Sequence, residues 1–273
     1  MISDDLFILE AIKYILPHYF IFTILGVTLL SIARLFLLAI AMIIISLVAC
    51  IYSVFRPFHR NNVYLTCRFL GKLTALMGVS VEVRIPESVK HLGPVVYVAN
   101  HQNNYDVLTL ANAIQPGTVS VGKKSLVWIP FFGLMYWLTG NILIDRQNKS
   151  KSFGTIELTA HKIRKKKLSI WMFPEGTRSR GRGLLRFKTG AFRTASKAGV
   201  PIIPVCASNQ HGTIKLGRWR NSKIIIELLD PIYIEEGDKD IRQVADKTHA
   251  VMEQKISELN IEISSYNKQH NIK

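Results

Sequence analysis

The chain has 273 residues, enough for one α/β domain with an added anchor and short for two full domains. Lys and Arg number 35 against 19 Asp and Glu, and the formal charge of +16 favours an anionic partner: nucleic acid, membrane phospholipid or a phosphorylated substrate. Cys50, Cys67 and Cys206 lie far apart without a CxxC pair, which excludes a disulfide framework or a cysteine-built zinc site and fits a reducing compartment.

Residues 5–16 carry Leu6, Leu9, Ile12 and Leu16 at helical spacing, and Pro17 is predicted to stop this short amphipathic helix. Residues 19–55 form a largely apolar run whose one charged residue is Arg34. The part from 35 to 55 makes about 31 Å of helix, enough to cross a hydrocarbon core of about 30 Å. One helix over the whole run is too long for that task, so a break or bend is predicted near Arg34, with 19–33 as an interfacial or second spanning piece. A signal peptide is not predicted, because Asp4, Asp5 and Glu10 outnumber Lys13 and no small-residue cleavage site follows. A buried core helix is the alternative. Arg56, Arg60, Arg68 and Lys72 come next, and by the positive-inside rule they place the remainder on the cytoplasmic side.

Residues 61–77 read as a helix ending at Gly78. Strand-like runs then alternate with helical stretches: strands at 79–85, 94–99, 118–121, 141–144, 168–173 and 201–207, and a strand or strand pair at 223–234. Helices are predicted at 105–114, 129–138, 152–166, 190–197 and 240–260, with a frayed polar tail from Ser264. This alternation predicts an α/β fold, a largely parallel sheet flanked by helices, behind an N-terminal membrane-anchoring helical segment. Ligands in such sheets bind at the carboxyl ends of the strands. Two polar segments fall there, Asn100-His101-Gln102-Asn103-Asn104-Tyr105-Asp106 and Phe173-Pro174-Glu175-Gly176-Thr177-Arg178-Ser179.

A histidine titrates near neutrality and suits a general base, and a carboxylate can hold its tautomer. His101 and Asp106 are not aligned by a regular helix, so the loop between them must fold back. The alternative is that Asp106 or Asn104 only caps the next helix. No G-x-S-x-G elbow or paired His/Cys spacing supplies a covalent nucleophile, which leaves direct attack by a substrate hydroxyl. Gly176 permits a tight turn with exposed N–H groups, and Arg178 can pair with phosphate oxygens. Arg178, Arg180 and Arg182 can equally be a solvated basic loop. Gly176 to Gly183 has P-loop glycine spacing but carries Arg182-Gly183 in place of the Lys-Ser/Thr pair, so a nucleotide loop is rejected. Residues 162–188 hold ten Lys/Arg against Glu175 alone, a surface suited to anionic headgroups.

With those residues in hand, the chain resembles the glycerolipid acyltransferase family, most closely its bacterial 1-acyl-sn-glycerol-3-phosphate acyltransferase branch. The resemblance runs from about residue 60 to 260 and rests on NHQNNYD, VGKKSLVWIPFFG, LTGNILIDR, WMFPEGTRSRGRGLL and GVPIIPV in that order. It implies an anchor at 1–60, a catalytic domain at 61–262 and a polar tail at 263–273. It also implies His101 as base and Asp106 as its partner. Acceptor contacts would come from Lys123, Arg146, Glu175, Gly176, Thr177 and Arg178, with Arg178 on the phosphate. Residues 200–205 match a block linked to the acyl chain or donor, and a plain buried strand explains them equally well. The implied reaction moves an acyl group from acyl-CoA or acyl-carrier protein to the 2-hydroxyl of lysophosphatidic acid, forming phosphatidic acid. No metal or bound cofactor is needed, and the thioester is a co-substrate. The expected setting is the cytoplasmic membrane of a bacterium, against anionic phospholipid and without nucleic acid. Rival expectations are a first-step glycerol-3-phosphate acyltransferase and, in a different class, a membrane-tethered nucleic-acid-binding or scaffold protein.

Overall fold

The computed structural model describes residues 2–144, 149–234 and 240–272. Helix α1 (Ile2–Phe55) opens the chain as one continuous helix of 54 residues, so neither predicted interruption occurs. Pro17 removes a single intrahelical bond, and the bonds on either side carry the helix through it. Arg34 does not break the run because its charge is met from outside. Its buried guanidinium donates to the carbonyls of Leu216 (2.9 Å), Trp219 (3.1 Å) and Arg218. The stretch Leu25–Phe55 is long and apolar enough to cross a membrane, and Leu29, Phe36 and Val54 on it are exposed.

Helix α2 (Asn62–Lys72) and a 3-10 turn (Ala75–Met77) follow, closed by Gly78 at φ +68°. The remaining elements alternate. In order they are β1 (Val81–Arg84), α3 (Glu87–Lys90), β2 (Val96–Ala99), α4 (Asp106–Thr109), β3 (Thr118–Lys123), α5 (Phe132–Leu138) and β4 (Ile142–Ile144). Then come α6 (Lys149–Lys166), β5 (Ser169–Met172), α7 (Gly190–Ala198), β6 (Ile202–Ala207), β7 (Ile224–Leu228) and α8 (Ile241–Gln269). The short α3 had no signal in the apolar pattern. The expected frayed tail is instead helical through Gln269, because Ile263 continues the buried stripe of Met252 and Leu259, and Ser222 Oγ donates to Asn267 Oδ1 at 3.0 Å.

The seven strands form one sheet in the order β1-β7-β6-β2-β5-β3-β4. Strands β2 to β6 are mutually parallel, and β7 returns antiparallel to β6 with β1 parallel beside it. The predicted α/β class with a largely parallel sheet is therefore the observed one. The central trio β6, β2 and β5 is buried on both faces, with Val96, Val98, Ile170, Ile202, Ile203 and Val205 fully enclosed. Double burial is why these strands read as unbroken apolar runs and not as alternating ones. Their carboxyl ends lie side by side and set three loops next to one another.

One expectation about charge is corrected. The basic residues of 162–188 do not form a single surface, because β5 runs between them. Those at 162–167 precede the strand and those at 178–188 follow it, which puts the two groups at opposite ends of the sheet.

Candidate active site

Strand β2 delivers Asn100 and His101 to the carboxyl edge of the sheet. Asn100 ties that exit to β6, donating to the Ala207 carbonyl (3.0 Å) and accepting the Ala207 N–H (2.8 Å). The following loop turns back on itself, so Asp106, the first residue of α4, faces the histidine. His101 Nδ1 lies 2.5 Å from Asp106 Oδ2. The same oxygen accepts the N–H groups of Gln102 (2.7 Å) and Asn103 (3.1 Å), while Oδ1 accepts from Gln210 Nε2 at 2.5 Å. Asp106 is 3% exposed and binds the loop ahead of its helix, so the helix-capping alternative is not the observed arrangement. An ionised carboxylate only accepts, which puts the imidazole hydrogen on Nδ1 and leaves Nε2 free to take a proton. The ring is also held by stacking on Phe173, with centroids 4.1 Å apart and planes 17° from parallel.

Strand β5, next to β2, delivers the second loop. Glu175 is buried, and both its oxygens are engaged by backbone: Oε1 accepts the His101 N–H at 2.6 Å and Oε2 the Leu185 N–H at 3.0 Å. Burial pushes its carboxyl up to about 7, the negative Asp106 adds to the rise, and the two N–H bonds and Arg182 oppose it. Gly176 turns the chain at φ +71°, with the Lys188 side chain laid over it; a Cβ there would come within 2.8 Å of Lys188 Nζ. Beyond the turn, Ser179 N–H donates to the His101 carbonyl (2.7 Å) and Arg180 N–H to the Gln102 carbonyl (3.0 Å). The two loops singled out in the sequence are thus joined by direct hydrogen bonds. Thr177 is exposed. Arg178 is half-buried, and its Nε is enclosed without a hydrogen-bond partner. Lys123 is exposed at the carboxyl end of β3, the strand beside β5. Arg146 lies outside the described residues.

The acyltransferase family model matches residues 80–208, which contain both loops. A 1-acyl-sn-glycerol-3-phosphate acyltransferase of Haemophilus influenzae is 51% identical over 239 residues, covering 87% of this chain and 100% of the relative. The chain belongs to the 1-acyl-sn-glycerol-3-phosphate acyltransferase family. The Escherichia coli K12 relative of that name is 50% identical over 236 residues, 86% of this chain and 96% of the relative. In fold, the crystal structure of the 1-acyl-sn-glycerophosphate (LPA) acyltransferase from Thermotoga maritima superposes with a TM-score of 0.68 at 20% identity, covering 87% of this chain and 97% of that one. The chain is an acyltransferase.

The candidate site contains residues that the motifs did not single out. Phe173 stacks on His101, Lys188 covers Gly176, and Gln102 and Gln210 bind the loop after β6 to the loop after β2. Phe173 directly precedes the Pro174–Gly176 turn, and that position is the sequence signal that marks it. Gln210 had no signal, since a lone glutamine after a strand resembles any loop residue. Thiols offer no competing nucleophile in this domain: burial pushes Cys67 up to about 12 and also raises Cys206, which holds both in the unreactive neutral form.

Proposed function

We propose that this acyltransferase moves an acyl group from the thioester of CoA or acyl-carrier protein to the 2-hydroxyl of 1-acyl-glycerol 3-phosphate, giving phosphatidic acid. The observation that carries the reading is the His101–Asp106 contact, bonded to a loop whose arginine holds a buried, unpartnered Nε. That loop offers a site for a phosphate beside a base with one free nitrogen. The names of the relatives, which are matched over nearly their whole length, support the same acceptor.

In this mechanism Nε2 of His101 takes the hydroxyl proton as the oxygen attacks the thioester carbonyl. Asp106 stabilises the imidazolium through Nδ1–H. The tetrahedral intermediate then collapses, the C–S bond breaks, and the imidazolium returns the proton to the departing sulfur. Arg178 pairs with the acceptor phosphate. Lys123 and Arg146 are proposed as further phosphate contacts, with Gly176 and Thr177 lining the turn. No metal or bound cofactor takes part in the scheme.

The acceptor is a membrane lipid, and the setting we propose is the cytoplasmic leaflet of a bacterial inner membrane containing anionic phospholipid. Helix α1 supports this, as do Arg56, Arg60, Arg68 and Lys72 directly after it. Exposed Trp128, Phe131, Leu134 and Trp137 support it too, because they lie on α5 and the turn before it. That element packs against the first helix and its exit, where the Phe58 and Trp137 rings meet edge to face at 5.3 Å. Interfacial tryptophan beside cations is the usual belt composition.

The test offers the purified full chain a thioester with either 1-acyl-glycerol 3-phosphate or glycerol 3-phosphate. The expected result is phosphatidic acid from the first acceptor and its loss in His101→Ala, with the variant still recovered folded in the membrane fraction. Sustained synthesis by His101→Ala overturns the mechanism. Preference for glycerol 3-phosphate overturns the acceptor, and tight, salt-dependent nucleic-acid binding without thioester consumption points to the scaffold class.

A further inference from the structure

The pair His101–Asp106 is held from three strands, and the third contributes a residue that no motif contains. Gln210 follows β6 and is 1% exposed. Its Nε2 lies 2.5 Å from Asp106 Oδ1, while the other carboxylate oxygen serves His101, Gln102 and Asn103. The amide is oriented without ambiguity. An ionised carboxylate demands a donor, so Nε2 faces Asp106 and Oε1 faces Thr109 Oγ1, 2.9 Å away. The Gln210 backbone is fixed as well, its N–H donating to Gln102 Oε1 at 2.9 Å, and Gln102 Nε2 in turn donates to the carbonyls of Ala207 (3.2 Å) and Ser208 (2.9 Å). Thr109 and Gln102 are buried too, so this is an enclosed network in which each polar group has a partner.

We propose that Gln210 is a positioning residue of the acyl-transfer site: through Asp106 Oδ1 it fixes the plane of the carboxylate, and so sets the orientation and basicity of His101. The torsion that rotates a carboxylate about its last bond is broad and soft. Oδ2 alone, shared among three donors, pins one point of the group, and the Gln210 bond at Oδ1 supplies the second. The donor also withdraws negative charge from the carboxylate. Without it Asp106 holds the imidazolium more strongly, and His101 gives up its proton only at higher pH. This inference rests on the general-base reading of His101.

The experiment compares wild type, His101→Ala and Gln210→Leu as full-length proteins in detergent–phospholipid micelles, with kcat and KM for 1-acyl-glycerol 3-phosphate measured across pH. Loss of a charge-assisted hydrogen bond predicts a kcat lower by about 10- to 100-fold in Gln210→Leu. KM is expected to stay put, because the side chain is enclosed. The acid limb of kcat/KM is expected to move up by about half a pH unit to one unit. Glu175, which accepts the His101 N–H and is pushed up to about 7 by burial, contributes to the limb in every variant, so a Glu175→Gln background isolates the part that belongs to His101. A purely structural role would lower the active fraction and leave the limb in place, and that result overturns the proposal, as does wild-type behaviour. If Gln210→Leu does not fold, Thr109→Val removes the hydroxyl that orients the amide and should move the limb the same way by less; an unmoved limb there also overturns it. Activity retained in His101→Ala would instead refute the general-base reading itself, so the two failures are told apart in one set of assays.

Discussion

Glu175→Gln separates two physical accounts of the loop junction. In the structure the carboxylate joins the two loops through two backbone N–H groups, yet burial makes its charge costly. A displacement from 4.5 to about 7 corresponds to about 3 kcal/mol. The sign follows from proton binding. The folded state holds this proton more tightly than the unfolded chain, so the group destabilises the fold progressively as pH rises from about 4.5 to about 7. Glutamine keeps the shape and has no charge to bury. Its carbonyl can serve one N–H, but its amide then faces the other donor, an unsatisfied contact costing about 1–3 kcal/mol at every pH. The variant should therefore melt below wild type at pH 5, and the gap should close or reverse by pH 8. About 2.5 kcal/mol of the burial cost falls between pH 5 and pH 8, and with about 2–4 °C per kcal/mol for a chain of this size the gap should change by roughly 5–10 °C. Paired thermal melts in one detergent across that range read it directly, since all other titrating groups cancel in the difference. A gap that stays constant, or widens in favour of wild type as pH rises, would show that the two N–H donors outweigh burial and refute the reasoning.

Two other perturbations probe the proposed phosphate contact and the seat of α1. Arg178→Lys keeps the charge and loses the planar fork, so KM for the lysophospholipid acceptor should rise by about tenfold or more with a smaller change in kcat; an unchanged KM would remove Arg178 from the acceptor phosphate. Gly78→Ala places a Cβ 2.4 Å from the Trp219 carbonyl oxygen at a φ of +68°, beside the segment that holds Arg34. It should cost at least about 2 kcal/mol, from left-handed backbone strain plus overlap. A melting temperature within a degree or two of wild type would count against the described packing of α1 on the 216–219 segment.

Local pattern made much of the fold legible. The β2 and β6 runs were readable because double burial writes a continuous apolar signature, and α7 and the sheet strands around it appeared within a residue or two of their expected bounds. Errors arose where a local rule met a distant partner. Arg34 reads as a helix interruption until the carbonyls of residues 216–219 are seen to solvate it. The basic stretch around 162–188 reads as one patch until a strand is found to divide it.

The apolar run of anchor length, the alternation that makes a parallel sheet, and the family of the chain are all legible in the order of its residues. These are properties of composition, period and motif order, which neighbouring residues carry among themselves. Which side chains meet is a property of the folded sheet. Glu175 reaches His101 across 74 positions and Gln210 reaches Asp106 across 104, because the sheet order places β5 and β6 on either side of β2. Such contacts depend on strand order and on which loops share an edge, and no spacing along the chain encodes either.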